Sequence, residues 1–255
     1  MLKIERHRQI KQVIEEKGTA TVNELSELFN VSEMTIRRDL QALFDRGLVQ
    51  RVHGGALSLN HSVELNWLPV MERISECKEE KQRIGQAVAD MIDDGETLFI
   101  CSGTTTLAVA EALYFRSNLT VVTNSLPVAN TLASAPGVEL IVIGGFLRES
   151  ELALEGHMVE DAVQDLRVDK VIMGMRGIDP THGLTSIHHQ ELKINRTIQT
   201  ISNTLIIVAD HTKFGQVAAS RTGPVTEASL IVSDNQAPAE IVQAIRDLGV
   251  EVMLV

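Results

Sequence analysis

Apolar residues recur in two different rhythms along this chain of 255 residues. Up to about residue 58 the rhythm is that of short amphipathic helices. Ile4, Ile10, Val13 and Ile14 make one stripe over residues 3–17, ended by Gly18. Val22, Leu25, Leu28 and Phe29 make a second. Thr21 and Glu24 open it as a capping box, in which the Thr hydroxyl takes one free backbone N–H and the Glu carboxylate reaches back for another. Asn30 and Val31 break that helix. Ser32 is a candidate N-cap for a third, running to about Arg46 with Ile36, Leu40, Leu43 and Phe44 on its core face. Residues 48–52 then alternate as a strand does, His53, Gly54 and Gly55 supply a turn, and residues 56–59 return as its partner. Helix, turn, helix and a two-stranded wing predict an α+β winged helix-turn-helix domain over residues 1–58.

From Lys78 the texture changes to helix and strand in alternation. Residues 97–101, 119–123, 138–143, 170–174, 204–209, 229–233 and 250–254 are short, nearly continuous apolar runs, most of them separated by helical stretches. Strands apolar throughout and alternating with helices predict a parallel sheet covered on both faces. Residues 77–255 therefore read as a doubly wound α/β domain, whose ligand belongs at the carboxyl ends of the strands. Between the two domains, residues 59–76 lose periodicity and contain Pro69 and Trp67, which reads as a linker.

The net charge of −11 looks wrong for a nucleic-acid partner until it is divided. Residues 1–58 hold nine Lys/Arg and eight Asp/Glu, a charge of +1, and the rest holds 14 basic and 26 acidic residues, a charge of −12. The acidic burden lies on the second domain. A charge of +1 is still meagre for binding a polyanion, so contacts must come from a few placed residues duplicated in an oligomer. No apolar run is long enough to span a membrane, and the start does not read as a signal peptide, so a soluble cytoplasmic protein without a membrane partner is expected. Cys77 and Cys101 make neither a disulfide framework nor a metal site by themselves, and the adjacent His188 and His189 point different ways on a helix. No metal and no cofactor are expected. A single Trp and a single Tyr exclude an aromatic platform for single strands.

Two sets of residues carry chemistry. The third helix turns Met34, Thr35, Arg38 and Gln41 outward with Arg37 beside them, side chains that suit phosphates and base edges in a major groove. A solvated helix face is the competing reading, and the wing that follows favours the groove. In the second domain the polar residues gather at strand ends. Ser102, Gly103, Thr104, Thr105 and Thr106 follow one strand and open a helix, where free N–H groups and hydroxyls suit a phosphate. Asn124 ends a second strand, and Gly144 and Gly145 a third, with Arg148 shortly after. Gly174, Arg176, Gly177 and Asp179 end a fourth, and Lys213 lies in the turn after a fifth. Any one of these is an ordinary helix cap; five on one rim point to a ligand.

The stretch SEMTIRRDLQALFDRGLVQRVHGGA resembles the DNA-binding domain of the DeoR family of bacterial transcription regulators. The landmarks DGETLFICSGTTT, VVTNS, IGG, GMRGID with HGLTS, and ADHTKFG resemble that family's sensor domain, so the likeness covers nearly the whole chain. It implies a repressor of carbohydrate genes that binds double-stranded operator DNA and a phosphorylated sugar or related metabolite, and the few basic residues of the first domain add the expectation of a dimer or tetramer. It also implies a sensor fold similar to sugar-phosphate isomerases. Carried over by position, Thr35, Arg37 and Arg38 are the recognition-helix candidates and Arg51 and His53 those of the wing; with the capping, outward and turn residues beside them the DNA-facing set adds Thr21, Ser32, Met34, Gln41, Gly54 and Gly55. The effector set is the 102–106 loop with Asn124, Gly144, Gly145, Arg148, Gly174, Arg176, Gly177, Asp179, Lys193 and Lys213, and no catalytic residue is assigned. The alternative is an isomerase-like enzyme with an appended DNA-binding domain, which needs a carboxylate base beside a cation. Glu191 with Lys193, or Asp179 with Lys213, supplies such a pair on paper, but an isomerase has no use for residues 1–58.

Overall fold

Burial of one face per helix builds the N-terminal unit. The computed structural model describes residues 3–17, 19–45, 48–52, 55–58, 69–187 and 191–255, and it divides into two units, Met1–Leu65 and Asn66–Val255. In chain order the first holds α1 (Lys3–Lys17), β1 (Thr19–Thr21), α2 (Val22–Phe29), α3 (Glu33–Asp45), β2 (Val49–Val52) and β3 (Gly55–Ser58). Ile10, Ile14, Val22, Leu25, Ile36, Leu40 and Leu43 form its core. The capping box is made: Thr21 N–H donates to Glu24 Oε2 at 2.8 Å, and Glu24 N–H donates to Thr21 Oγ1 at 3.2 Å.

Two expectations are corrected here. Leu28 and Phe44 are 58% and 47% exposed rather than core. At 3.6 residues per turn Leu28 lies about 120° round α2 from Val22, and Phe44 about 80° round α3 from Ile36, both outside a narrow buried stripe. The wing pairs β2 with β3 as expected but is not confined to them. Its sheet has three antiparallel strands in the order β1-β3-β2, with Thr19 opposite Leu57 and Thr21 opposite Gly55. A three-residue strand is too short to show a period.

The second unit holds α4 (Val70–Arg73), α5 (Lys78–Asp90), β4 (Thr97–Ile100), α6 (Thr104–Leu113), β5 (Leu119–Thr123), α7 (Leu126–Leu132), β6 (Val138–Val142), β7 (Phe146–Arg148), β8 (Ala153–Glu155) and α8 (His157–Gln164). There follow β9 (Lys170–Gly174), β10 (Gly177–Asp179), β11 (Gly183–Ser186), α9 (Glu191–Thr200), β12 (Leu205–Val208), β13 (Ser220–Gly223), β14 (Leu230–Ser233), α10 (Ala239–Asp247) and β15 (Glu251–Leu254). Residues 70–73, expected within a linker, are a helical turn of this unit with Val70 and Arg73 buried. Seven parallel strands run in the order β15-β14-β12-β9-β4-β5-β6. One apolar cluster, around Phe99, Val171 and Ile207, and another, around Leu98, Val121 and Ile172, line its two faces, because alternate side chains of each buried strand point to opposite sides. The runs that looked apolar throughout are thus covered on both faces, except at the edge strand β6, where Ile141 and Val142 are partly exposed.

The order places the site. From β4 the chain moves outward through β5 to β6, and from β9 it moves the other way through β12 and β14 to β15. The connections diverge between β4 and β9, and the crevice at such a switch point is where open α/β sheets bind ligands.

Helices α5 and α6 approach tightly at Gly85, where a Cβ would lie 2.5 Å from the Ala108 carbonyl oxygen. Gly85→Ala is expected to push α6 away and cost about 1–3 kcal/mol, as overpacking of a fitted interior does. A lowered thermal midpoint checks this; an unchanged one would mean that the helices separate freely.

Candidate nucleic-acid face and anion cleft

Helix α3 divides its residues cleanly. Ser32 caps it, its Oγ accepting from Thr35 N–H at 3.3 Å and lying 2.9 Å from Thr35 Oγ1. Met34 is 66% exposed, Arg37 and Arg38 are exposed, and Thr35 and Gln41 are half-buried. Arg37 reaches back to Glu33 at 2.9 Å, an exposed i,i+4 pair of little energetic weight. The hydroxyls of Thr21 and Ser32 are engaged in capping, which gives both a structural task. Gly55 begins β3; the Arg51 side chain, His53 and Gly54 lie outside the described residues.

Asp39, between the outward arginines and buried Leu40, points inward and is 1% exposed. It accepts from Arg6 Nε at 2.6 Å and lies 2.9 Å from His7 Nε2, tying α3 to α1. Burial pushes its carboxyl up, but the hydrogen bonds from Arg6 and His7 outweigh this and hold it below the ordinary carboxylate value. The sequence gives a faint signal for it, an acidic residue in register with the apolar stripe at Ile36, Leu40 and Leu43.

At the switch point of the sheet a cleft is lined by Ser102, Gly103, Thr104 and Thr105 after β4, Asn124 after β5, and Gly174 and Arg176 after β9. Lys213 joins them from the turn after β12. Gly103 is the N-cap of α6, with φ +146°, and contributes no side-chain cap of its own. The N–H groups of a helix's first turn have no partner within the helix, so the loop offers donors and the positive end of a dipole to an anion. Thr106 does not line the cleft. It is fully buried, and its hydroxyl donates to the Gly103 carbonyl at 3.0 Å, bracing the loop from beneath. Asn124, 6% exposed, donates from Nδ2 to the Leu154 carbonyl at 3.0 Å, while Oδ1 has no hydrogen-bond partner among the described residues.

Other residues of the expected effector set are not among those lining this cleft. Gly144 stands in open space, and Gly145 lets the backbone pass Glu155, whose carbonyl would lie 2.6 Å from a Cβ. Arg148 pairs with Glu155 across the β7–β8 hairpin. Gly177 lies beneath the Gln216 carbonyl, 2.3 Å from where its Cβ would be. The Asp179 carboxylate accepts from the Thr181 and His182 N–H groups at 2.9 and 2.7 Å, closing a turn. Lys193 is exposed, pairs with Glu160 and lines a separate groove. Of the two pairs considered for an isomerase, Asp179 does not join Lys213 among the residues lining the cleft, and the Glu191 side chain is outside the described residues. Among the described residues no group of three His, Cys, Asp or Glu is placed to hold a metal, and no helix is long and apolar enough to cross a membrane.

The cleft also gathers residues that sequence reasoning missed, among them Arg73, Glu151, Ser186 and Asn195. Arg73 donates to Glu151 at 2.7 Å, and Arg176 donates to the same carboxylate. These pairs join residues 78 and 25 positions apart, separations that no local pattern reports.

A capped helix-turn-helix with outward arginines, carried on one chain with a parallel α/β sheet and its switch-point cleft, is the build of a ligand-responsive DNA-binding regulator. Residues 6–62 match the family model of the DeoR-like helix-turn-helix domain, and residues 76–235 match that of the DeoR C terminal sensor domain. The chain is 37% identical over 254 residues, spanning all of both proteins, to the glycerol-3-phosphate regulon repressor of Escherichia coli (strain K12). It is 35% identical over 249 residues, 98% of this chain and 94% of the other, to the HTH-type transcriptional repressor CsqR of the same organism. Among solved structures, ribose 5-phosphate isomerase A of Methanocaldococcus jannaschii is similar over 55% of each chain, with a TM-score of 0.40 and 13% identity, too distant to bear on activity. The chain belongs to the DeoR family of bacterial transcription regulators. It is a DNA-binding regulator, not an enzyme.

Proposed function

We propose that the protein represses carbohydrate-metabolism genes and that a phosphorylated sugar or polyol in the switch-point cleft controls its hold on the operator. The observation that carries this reading is one cleft combining an anion-suited loop with a buried acceptor of fixed direction. The 102–105 loop takes the phosphate, with Arg176 and Lys213 adding positive charge. Because Nδ2 of Asn124 is held by Leu154, its Oδ1 needs a donor from the ligand, and a sugar or polyol hydroxyl is such a donor. Leaving that oxygen unsatisfied costs about 1–3 kcal/mol. Relatives named for the glycerol-3-phosphate regulon and the aga operon support the same class of effector. No cofactor is required. The protein acts in the cytoplasm as an even-numbered homo-oligomer, since paired half-sites compensate for few basic residues. Thermal shift against phosphorylated sugars and polyols and their unphosphorylated parents tests this. Stabilisation by the phosphorylated compounds alone is expected, and equal stabilisation by the parents would sink it.

On the DNA side, Thr35 and Arg38 enter the major groove. Arg38→Ala is expected to weaken operator binding by about 1–3 kcal/mol, tenfold or more, without lowering the thermal midpoint. Binding at wild-type strength across a salt titration would mean that another face of α3 meets DNA.

A further inference from the structure

Arg73 and Arg176 approach one carboxylate from different parts of the chain. Arg73 lies on α4, the first element described after residues 59–68, and donates to Glu151 Oε2 at 2.7 Å. Arg176, just beyond β9, donates to Glu151 Oε1. The side chains of Arg73, Glu151 and Arg176 are only 6%, 9% and 13% exposed. Two guanidiniums held this near each other away from water repel. Burial and then the charge of Arg176 lower the Arg73 pKa, against the pull of Glu151.

α4 is fastened at two more points. Val70 N–H donates to the Ser150 carbonyl at 2.7 Å, and buried Lys81 donates from Nζ to the Arg73 carbonyl at 2.9 Å. Ser150 and Glu151 belong to one turn, in which Leu152 has φ +47°, a left-handed conformation uncommon for a non-glycine residue. The cleft beside this turn encloses about 80 Å³, well short of the roughly 300 Å³ or more usual for a small-molecule site. A sugar phosphate therefore enters only if side chains here rearrange, and the carboxylate shared by Arg73 and Arg176 is one contact that can do so and still keep a cation.

We propose that Glu151 couples the cleft to α4: an effector phosphate at the 102–105 loop draws Arg176 to itself, and Glu151, relieved of one of its two cations, closes on Arg73 and tightens α4. This rests on the phosphate reading of the cleft. A carboxylate shared by two mutually repelling cations holds each less firmly than one, which sets the sign. α4 is the first described element of the sensor unit after the DNA-binding unit in sequence, so a tightened and a loosened α4 are two arrangements of that end of the sensor unit. A ligand alters operator affinity only by favouring one such arrangement over another.

Hydrogen exchange over residues 70–76 of the full chain tests the coupling without a ligand. Arg176→Gln removes the competitor and is expected to slow exchange there by about threefold or more, whereas Glu151→Gln speeds it by a similar factor. Arg176→Lys, which keeps the charge, exchanges as wild type. Inorganic phosphate in excess slows exchange in wild type and has no further effect in Arg176→Gln. A merely structural Arg176 would behave oppositely: faster exchange in Arg176→Gln, or no change in either Gln variant while both remain folded by thermal melting, overturns the coupling. If the ligand-free variants behave as stated but phosphate leaves wild type unchanged, the phosphate reading of the cleft falls, and with it the effector step of the proposal.

Discussion

Gly103→Asp is expected to abolish the response to effector while operator binding stays within a few-fold of wild type. Gly103 stands where the anion should sit, at the N-cap of α6, and its replacement brings a carboxylate to that position. Two charge-assisted hydrogen bonds from the loop contribute about 1.5–3 kcal/mol each, so their loss lowers affinity by roughly two to four powers of ten. The substitution also strains the backbone, because φ at this position is +146° and the new Cβ would lie 3.2 Å from Thr106 Oγ1. Gly103→Ala carries the same strain without the charge and separates the two effects: it should lower thermal stability to a similar degree yet keep most of the affinity. Calorimetry with the tightest phosphorylated compound from the thermal-shift series measures both. Undiminished affinity in the Asp variant would reduce the loop to an ordinary helix start.

The second large effect concerns the N-terminal unit. Asp39→Ala is expected to cost it about 3–5 kcal/mol, since removing one partner of a buried ion pair leaves the Arg6 guanidinium uncompensated and takes away the contact of His7. Faster hydrogen exchange throughout α1 and α3 of the full chain, with α5 and α6 unaffected, is the predicted signature. The carboxyl's lowered pKa also fixes a pH dependence. Its contribution is fully present above the unfolded value of about 3.8 and is lost as pH falls through the lower folded value. Acid should therefore loosen α1 from α3 in wild type, and an Asp39→Asn variant should lack that acid-dependent component. Identical acid profiles in the two proteins would place the acid sensitivity elsewhere.

The helices of the first unit were legible because one buried face imposes a period of 3.6, and their ends because Thr21, Glu24 and Ser32 carry the capping chemistry. Leu28 and Phe44 misled because apolar character marks a tolerated position as readily as a buried one, and rotation about the helix axis decides between them. The sensor strands were legible as continuous apolar runs, but their lateral order is carried by packing between distant segments. The switch point between β4 and β9, which selects the loops that share the cleft, was therefore hidden. The 102–105 loop could be read because a strand, a glycine and the run Thr104 to Thr106 stand together. Gly144 and Gly145 stood in a similar setting, yet the structure gives Gly145 to a close backbone approach. Arg73 and Glu151 lie in aperiodic polar stretches, and only the folded chain brings them together.

The inward turn of Asp39 amid outward-facing neighbours has a consequence for how operator preference can diversify. Along α3, the groups that hold the helix in place, Ile36, Asp39, Leu40 and Leu43, are different positions from the exposed or half-buried ones, Met34, Thr35, Arg37, Arg38 and Gln41, that the proposal gives to the groove. Anchor and alphabet thus interleave on one helix without sharing a residue. The outward set can be rewritten to suit a new operator while the Arg6–Asp39 tie and the apolar stripe continue to aim the helix, so one scaffold can carry many addresses.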